Sequence, residues 1–164
     1  LDAAGTVWPG SEPKGPARSD AGADGRTLCA LAPASRWRAV VPAARLERLA
    51  RASGWLRPDE ALNTLAVAER SAARRALTLA VNGTAVNHER FLSAAGRELG
   101  WNVLKSAGFE VTRAGGDFVF EGRGRGHGVG MSGCGAKGQA QEGKTGEQIL
   151  EYYYPGTVIG EAKR

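Results

Sequence analysis

The sequence predicts an α+β fold: an antiparallel sheet built from hairpins, with short helices and a Gly-rich loop between the last strand and the C-terminal helices. Three observations carry that expectation. Glycine supplies 24 of the 164 residues while aromatics supply only 7%, a balance that fills a chain with turns and disfavours a helical bundle. Short runs with alternating apolar residues end in turn dipeptides such as Asn82-Gly83, the pattern of hairpins. Interspersed with them are segments of helical periodicity bounded by capping and stop residues.

The elements follow in chain order. Residues 1–27 hold Pro9, Pro13 and Pro16 among glycines and scattered charge, a composition that cannot nucleate a core and reads as a loop or extended arm. The remainder, 28–164, reads as one domain. Arg36 to Val41 alternates Trp37, Ala39 and Val41 against two arginines, the periodicity of a strand. Pro42 opens a helix through Ala52 with Leu46 and Leu49 on one face and Gly54 as its stop. Leu62 to Arg70 and Ala76 to Val81 read as strands of a meander, with Asn82-Gly83 as a type I′ turn. Asn87 caps a helix running to about Leu99, with Phe91, Leu92 and Leu99 inward and Gly100 ending it. Phe109 to Arg113 and Phe118 to Glu121 form another hairpin, and the second of them runs directly into the loop. Two short helices, Gly135 to Glu142 and Gly146 to Tyr153, are separated at Gly143; Ile149, Leu150, Tyr153 and Tyr154 give an apolar edge.

Bulk chemistry bounds the function. The net charge of +5 and the pI near 9.6 suit an anionic partner. The arginines, however, are scattered without interleaved aromatics, which argues against nucleic acid and for a solvated basic face. Cys29 and Cys134 are too few for a disulfide framework and permit one bridge or two free thiols. No apolar run is long enough to span a bilayer. The start at Leu1, without methionine or signal pattern, reads as a processed product or a piece of something longer.

The densest chemistry lies between Gly122 and Thr157, GRGRGHGVGMSGCGAKGQAQEGKTGEQILEYYYPGT. Alternating glycines remove side chains that would hold a ligand off the backbone. Gly138 to Thr145 (GQAQEGKT) matches the P-loop formula, which would place Lys144 on phosphates and Thr145 on magnesium. A working P-loop must follow a buried parallel strand, and here more glycine precedes it. Gly128 to Gly133 fits a dinucleotide fingerprint but lacks the second strand and acid of a βαβ unit. His127, between two glycines, is a candidate for proton transfer or ligand contact, against a structural role bonded to the loop backbone. Cys134 is a candidate nucleophile or, with His127, half of a zinc site. His88-Glu89 could pass for an acid-base pair, although a carboxylate at a helix start serves the backbone dipole. Asn82-Gly83-Thr84 matches a glycosylation sequon that a hairpin turn explains equally well.

The run Gly124-Arg125-Gly126-His127-Gly128-Val129-Gly130-Met131-Ser132, followed by Gly135-Ala136, Ile149-Leu150 and Tyr153-Tyr154-Pro155-Gly156-Thr157, resembles the signature of the stage II sporulation protein D family (SpoIID/LytB). Upstream, the order of Cys29, Trp37, the Leu46 helix, the central hairpin and the stretch through Gly100-Trp101 to Leu104-Lys105-Ser106 is compatible. The resemblance implies part of a peptidoglycan-acting lytic transglycosylase, which cuts denuded glycan strands to anhydro-muramyl products. This chain would form the Gly-rich wall of the glycan cleft, with Arg125, His127, Ser132 and Tyr152 on substrate. His127 is the one candidate catalytic residue. In such enzymes a single glutamate is both acid and base, and it needs surroundings that raise its pKa.

That glutamate belongs to a Gly-Glu-Met type motif, which the resemblance places on a segment outside this chain. The family's zinc cluster is likewise upstream, so no cofactor is expected here, with His127 and Cys134 the alternative metal ligands. Gly133, Cys134 and Gln139 stand where the family has a glutamine, an aromatic and a methionine. The partners implied are peptidoglycan glycan strands, the missing N-terminal segment or another cell-wall hydrolase, and no nucleic acid. The location implied is the cell envelope, by export or through an anchor not in this chain. A non-catalytic glycan-binding or amidase-enhancer module is the alternative, and phosphate binding by the P-loop letters a third.

Overall fold

The computed structural model describes residues 36–71, 74–126 and 130–160; the arm expected over residues 1–27 lies outside them. The chain divides into two compact units, one running from Ala34 to Gly128 and the other taking in Val129–Arg164.

The first unit is α+β, as expected. Its elements are β1 (Arg36–Pro42), α1 (Ala43–Ala52), β2 (Leu65–Arg70), β3 (Ala76–Val81), β4 (Thr84–Asn87), α2 (His88–Leu99), β5 (Phe109–Ala114) and β6 (Asp117–Arg123). The strands form two three-stranded antiparallel sheets rather than one, ordered β1-β6-β5 and β2-β3-β4. Both hairpins fall where their turn dipeptides put them. Asn82 and Gly83 carry φ of 46° and 85°, the two left-handed residues that a type I′ turn requires. The strand expected from Leu62 begins only at Leu65, because residues 62–64 are held by side chains instead. Glu47 accepts from the Leu62 amide at 3.0 Å, and the Asn82 side-chain oxygen accepts from Asn63 and Thr64, both at 2.9 Å.

Periodicity becomes burial in each element. In β1, Trp37 and Val41 point into the core while Arg36 and Arg38 face solvent. Helix α1 buries Leu46, Leu49 and Ala50, and its first amide, on Ala43, donates to the Gly116 carbonyl at 3.0 Å, which satisfies an N-terminal group no helix can pair internally. Helix α2 is capped by Asn87, whose side chain accepts from the Glu89 and Arg90 amides, and it buries Phe91, Ala94, Ala95 and Leu99.

An aromatic chain links these elements: Trp37 against Phe109 at 6.2 Å, Phe109 edge-on to Phe120 at 5.4 Å, Phe120 to Phe91 at 6.5 Å, and Phe91 stacked on Trp55 at 6.0 Å. Burying each of Phe91, Phe118 and Phe120 contributes about 1.5–3 kcal/mol of transfer free energy.

In the second unit, α3 (Gly133–Gln141) and α4 (Gly146–Tyr153) follow one another across Gly143. Thr145 and Gln148 cap α4 reciprocally, a capping box. Of the expected apolar edge, Ile149 is buried, whereas Leu150 and Tyr154 are 37% and 41% exposed.

Candidate functional site

Strand β6 delivers the chain into the glycine-rich loop, and the glycines there do different jobs. At Gly122, a Cβ would sit 2.2 Å from the Trp37 ring, so this glycine exists to seat the indole and not to admit a ligand. Gly124 and Gly126 have φ of 72° and 83° with open space where a side chain would be. They turn the backbone through the left-handed region and leave it uncovered. Beyond them, a Cβ at Gly130 would meet the Tyr154 hydroxyl at 2.9 Å, and that hydroxyl accepts from the Met131 amide at 3.2 Å.

The start of the loop is held from beneath. Ser106, 3% exposed, donates its hydroxyl to the Arg123 carbonyl at 2.6 Å and accepts from the Gly108 amide at 3.2 Å. The Arg123 amide donates to Gly108 and the Gly126 amide to Lys105, each at 2.8 Å. The Arg75 guanidinium then donates to the Gly126 carbonyl at 2.9 Å. Burial lowers the Arg75 pKa from its ordinary value, the cost of drawing a cation against the loop. Sequence reasoning placed Ser106 only within the resemblance and Arg75 only among the surface charges. No local signal marks either one, because the loop carbonyls that they hold, of Arg123 and Gly126, are distant in sequence.

The residues singled out from the sequence fall as follows. Arg125 is exposed on the loop in the first unit. His127 lies outside the described residues. Ser132 belongs to the second unit and caps α3, accepting from the Gly135 amide at 3.2 Å. Its hydroxyl also lies 3.3 Å from the Cys134 sulfur. Tyr152 is in the second unit too, its ring edge-on to Tyr153 at 5.1 Å, and it lines an open groove of about 410 Å³ with Lys144, Gln148, Glu151, Pro155 and Gly156.

Cys134 is disulfide-bonded; Cys29 lies outside the described residues. A disulfide sulfur is neither a thiolate nucleophile nor a zinc ligand, so in this oxidation state Cys134 has neither use. Among the described residues no three His, Cys, Asp or Glu side chains converge as a metal site. Nor does any described helix have the length and apolarity to cross a membrane.

The P-loop letters do not make a P-loop. Residues 138–141 are helical, which commits their amides to the helix. Thr145 uses its hydroxyl to accept from the Gln148 amide at 3.3 Å and donates its own amide to Gln148 Oε1 at 2.9 Å. The loop of free N–H groups that cradles phosphate is therefore absent from this segment.

Three carboxylates, Glu89 and with it Glu98 and Glu121, could be asked to serve as acid or base, and each is differently occupied. Glu121 pairs with Arg38 at 3.5 Å and Glu98 with Arg48 at 3.4 Å. Glu89 lies in the first turn of α2, the dipole-stabilising position. None of the three is enclosed in an apolar pocket. His88 is buried at 6% exposure; burial is the main cause of its lowered pKa, opposed by its hydrogen bond to the Leu77 backbone. It is a core histidine.

Comparison with known proteins extends the resemblance. Stage II sporulation protein D of Bacillus subtilis (strain 168) is 54% identical over 59 residues, covering 36% of this chain and 17% of that protein. The protein of the same name from Bacillus amyloliquefaciens is 46% identical over 59 residues, covering 36% and 17%. The amidase enhancer of Bacillus subtilis (strain 168) is 41% identical over 61 residues, covering 37% of this chain and 9% of its own length. The chain thus matches less than a fifth of the length of each of these curated relatives, and the likeness to stage II sporulation protein D holds over that segment. A family model extends further, across residues 31–130, more than half of the sequence. The chain belongs to the family described as a domain of unknown function, DUF8618.

Proposed function

We propose that this protein works on the bacterial cell wall, forming the Gly-rich wall of a glycan cleft in a peptidoglycan lytic transglycosylase that takes denuded strands. The observation that carries the reading is the segment shared with proteins named stage II sporulation protein D and amidase enhancer. The loop geometry supports it. Gly124 and Gly126 leave the backbone uncovered, and Ser106 and Arg75 hold that backbone in place, so Arg125 is presented from a supported backbone, which lowers the ordering cost of binding to that of its side chain. The disulfide at Cys134 suits an oxidising, extracytoplasmic setting. Substrate contacts are assigned to Arg125, His127, Ser132 and Tyr152, with Ser132 acting through the turn that it caps.

A second reading, a glycan-binding or amidase-enhancer module without activity of its own, is favoured by the surroundings of Glu89, Glu98 and Glu121. None has the apolar enclosure that keeps a proton on a carboxyl for a leaving group.

The test is incubation of the chain with denuded glycan strands, scored by co-sedimentation and by mass spectrometry of the soluble fraction. Binding that His127→Ala and Arg125→Ala each reduce is the expected result. Unchanged binding in both variants would remove the loop from the cleft. Anhydro-muramyl products released by the chain alone would eliminate the binding-only reading and make the three glutamates the next substitutions.

A further inference from the structure

The fold gathers at one end of the first unit cations that are far apart in the chain. The turn between β2 and β3 brings Arg74 and Arg75 there, and the Arg75 guanidinium donates to the Gly126 carbonyl at 2.9 Å. The Gly126 amide donates to the Lys105 carbonyl and the Arg123 amide to the Gly108 carbonyl, so the backbones that carry Lys105, Arg123 and Arg125 meet at the same corner. Five cations from three segments share it.

Their charge is left largely uncompensated. Among the described residues Arg75, Lys105, Arg123 and Arg125 have no carboxylate partner. Glu110, the acid at this corner, is held by Arg70 and reaches Arg74 only at 3.9 Å. Arg75 is half-buried and gives its guanidinium to a neutral carbonyl. A cation drawn out of water without a counter-charge costs free energy that an arriving anion offsets, and the guanidinium keeps further N–H donors for one. The turn is strained to put it there: Arg74 has φ of 59°, a left-handed conformation that costs a residue with a side chain about 1–2 kcal/mol, and the Arg70 guanidinium holds its carbonyl at 3.1 Å. Gly124 and Gly126 have nothing within 4 Å of where a Cβ would sit, so no side chain from either position shields Arg75 from a ligand.

From this we infer that the corner binds the phosphodiesters of a polyol-phosphate polymer, an anionic ligand distinct from the glycan strand of the reading above. Four of the five cations are arginines, whose planar fork meets two oxygens of a phosphate at once. Cations carried on three segments suit a chain of repeated phosphates better than a single ion, because each contact after the first is intramolecular. Nucleic acid repeats phosphates too, but its bases need aromatic faces to stack on. The ring among these segments, Phe109, is buried, and the exposed Trp101 lies against Gly96 of α2 instead.

The experiment measures the binding of labelled polyglycerol phosphate to the 164-residue chain by fluorescence anisotropy, beside poly-glutamate and an oligothymidylate of matched charge. Polyglycerol phosphate is expected to bind most tightly, with an affinity that falls about tenfold between roughly 50 and 200 mM salt. Arg75→Gln should weaken it by about tenfold, and Arg74→Gln and Arg123→Gln by about threefold each. Arg57→Gln removes the same charge at the far end of β3, where Arg57 pairs with Glu60 beside Asn82, and should bind as wild type does. Arg74 and Arg123 are exposed, so their variants test the corner even where Arg75→Gln fails to fold. No binding of polyglycerol phosphate, equal binding of poly-glutamate, tighter binding of oligothymidylate, or an equal loss in Arg57→Gln would each overturn the phosphodiester site. None of these outcomes bears on co-sedimentation with glycan strands, which tests the other reading separately.

Discussion

Gly122 carries a lesson about reading glycine. By letter it opens an alternating run that suggests an exposed, ligand-hugging backbone, but its missing side chain is a seat for Trp37, while Gly124 is needed for its positive φ. The two therefore respond differently to substitution. Gly122→Ala is expected to destabilise by about 1–3 kcal/mol through overpacking, and Trp37→Leu in the same chain should recover part of that loss. Gly124→Ala costs a backbone strain of about 1–2 kcal/mol that Trp37→Leu leaves untouched. Urea midpoints of wild type, Trp37→Leu, the two glycine variants and the two double variants measure the coupling, and its absence at Gly122 would remove the steric account.

His88 gives a pH prediction with a defined sign. Its pKa is lowered mainly by burial, so the unfolded chain takes up the proton near pH 6.5 and the folded chain only at lower pH. Between those two values the unfolded state holds more protons, so stability present above about pH 6.5 is lost as pH falls toward the folded value, by at most about 1.4 kcal/mol per pH unit. His88→Gln should flatten the slope of urea-unfolding stability between pH 7.5 and 5. An unchanged slope would mean that other groups set it.

At the scale of elements, the hairpin β3-β4 and the start of β2 are organised by one side chain. Asn82 adopts φ of 46° while its oxygen accepts from Asn63 and Thr64 and its NH₂ donates to Glu60 and Ala61, both at 2.8 Å. The hydrogen bond from Asn82 is the first cause of the lowered Glu60 pKa. Asn82→Gly preserves the turn conformation and deletes the network, so a loss of about 1–3 kcal/mol in urea stability is expected. No loss would make the dipeptide turn alone sufficient. The same engagement explains the sequon: both amide protons of Asn82 are already bonded. The turn dipeptide announced this hairpin, but the shift of β2 from Leu62 to Leu65 did not show, because its cause lies across the fold in Glu47 and Asn82.

For the molecule as a whole, the cysteine count left a bridge and free thiols equally open, and the structure bonds Cys134 in a disulfide. A cross-link of this kind typically contributes about 2–4 kcal/mol by restricting the unfolded chain. Adding reductant should lower the melting temperature of the wild-type chain, and Cys134→Ser should melt at the lower temperature with no further response. A melt indifferent to reductant would show that the link carries no stability.

The letters alone were enough for the α+β class, the two hairpins, the Asn87 cap and the resemblance to stage II sporulation protein D. Each of these is written in local periodicity, turn chemistry or capping, which need only neighbouring residues to be read. Folding in three dimensions was needed to set the strands in two sheets, to pair β1 with β6 from Arg36 to Pro42, and to bring Ser106 and Arg75 against the loop. Those contacts join groups far apart in the chain, often to backbone atoms, which have the same chemistry in almost every residue and so leave no mark in the letters.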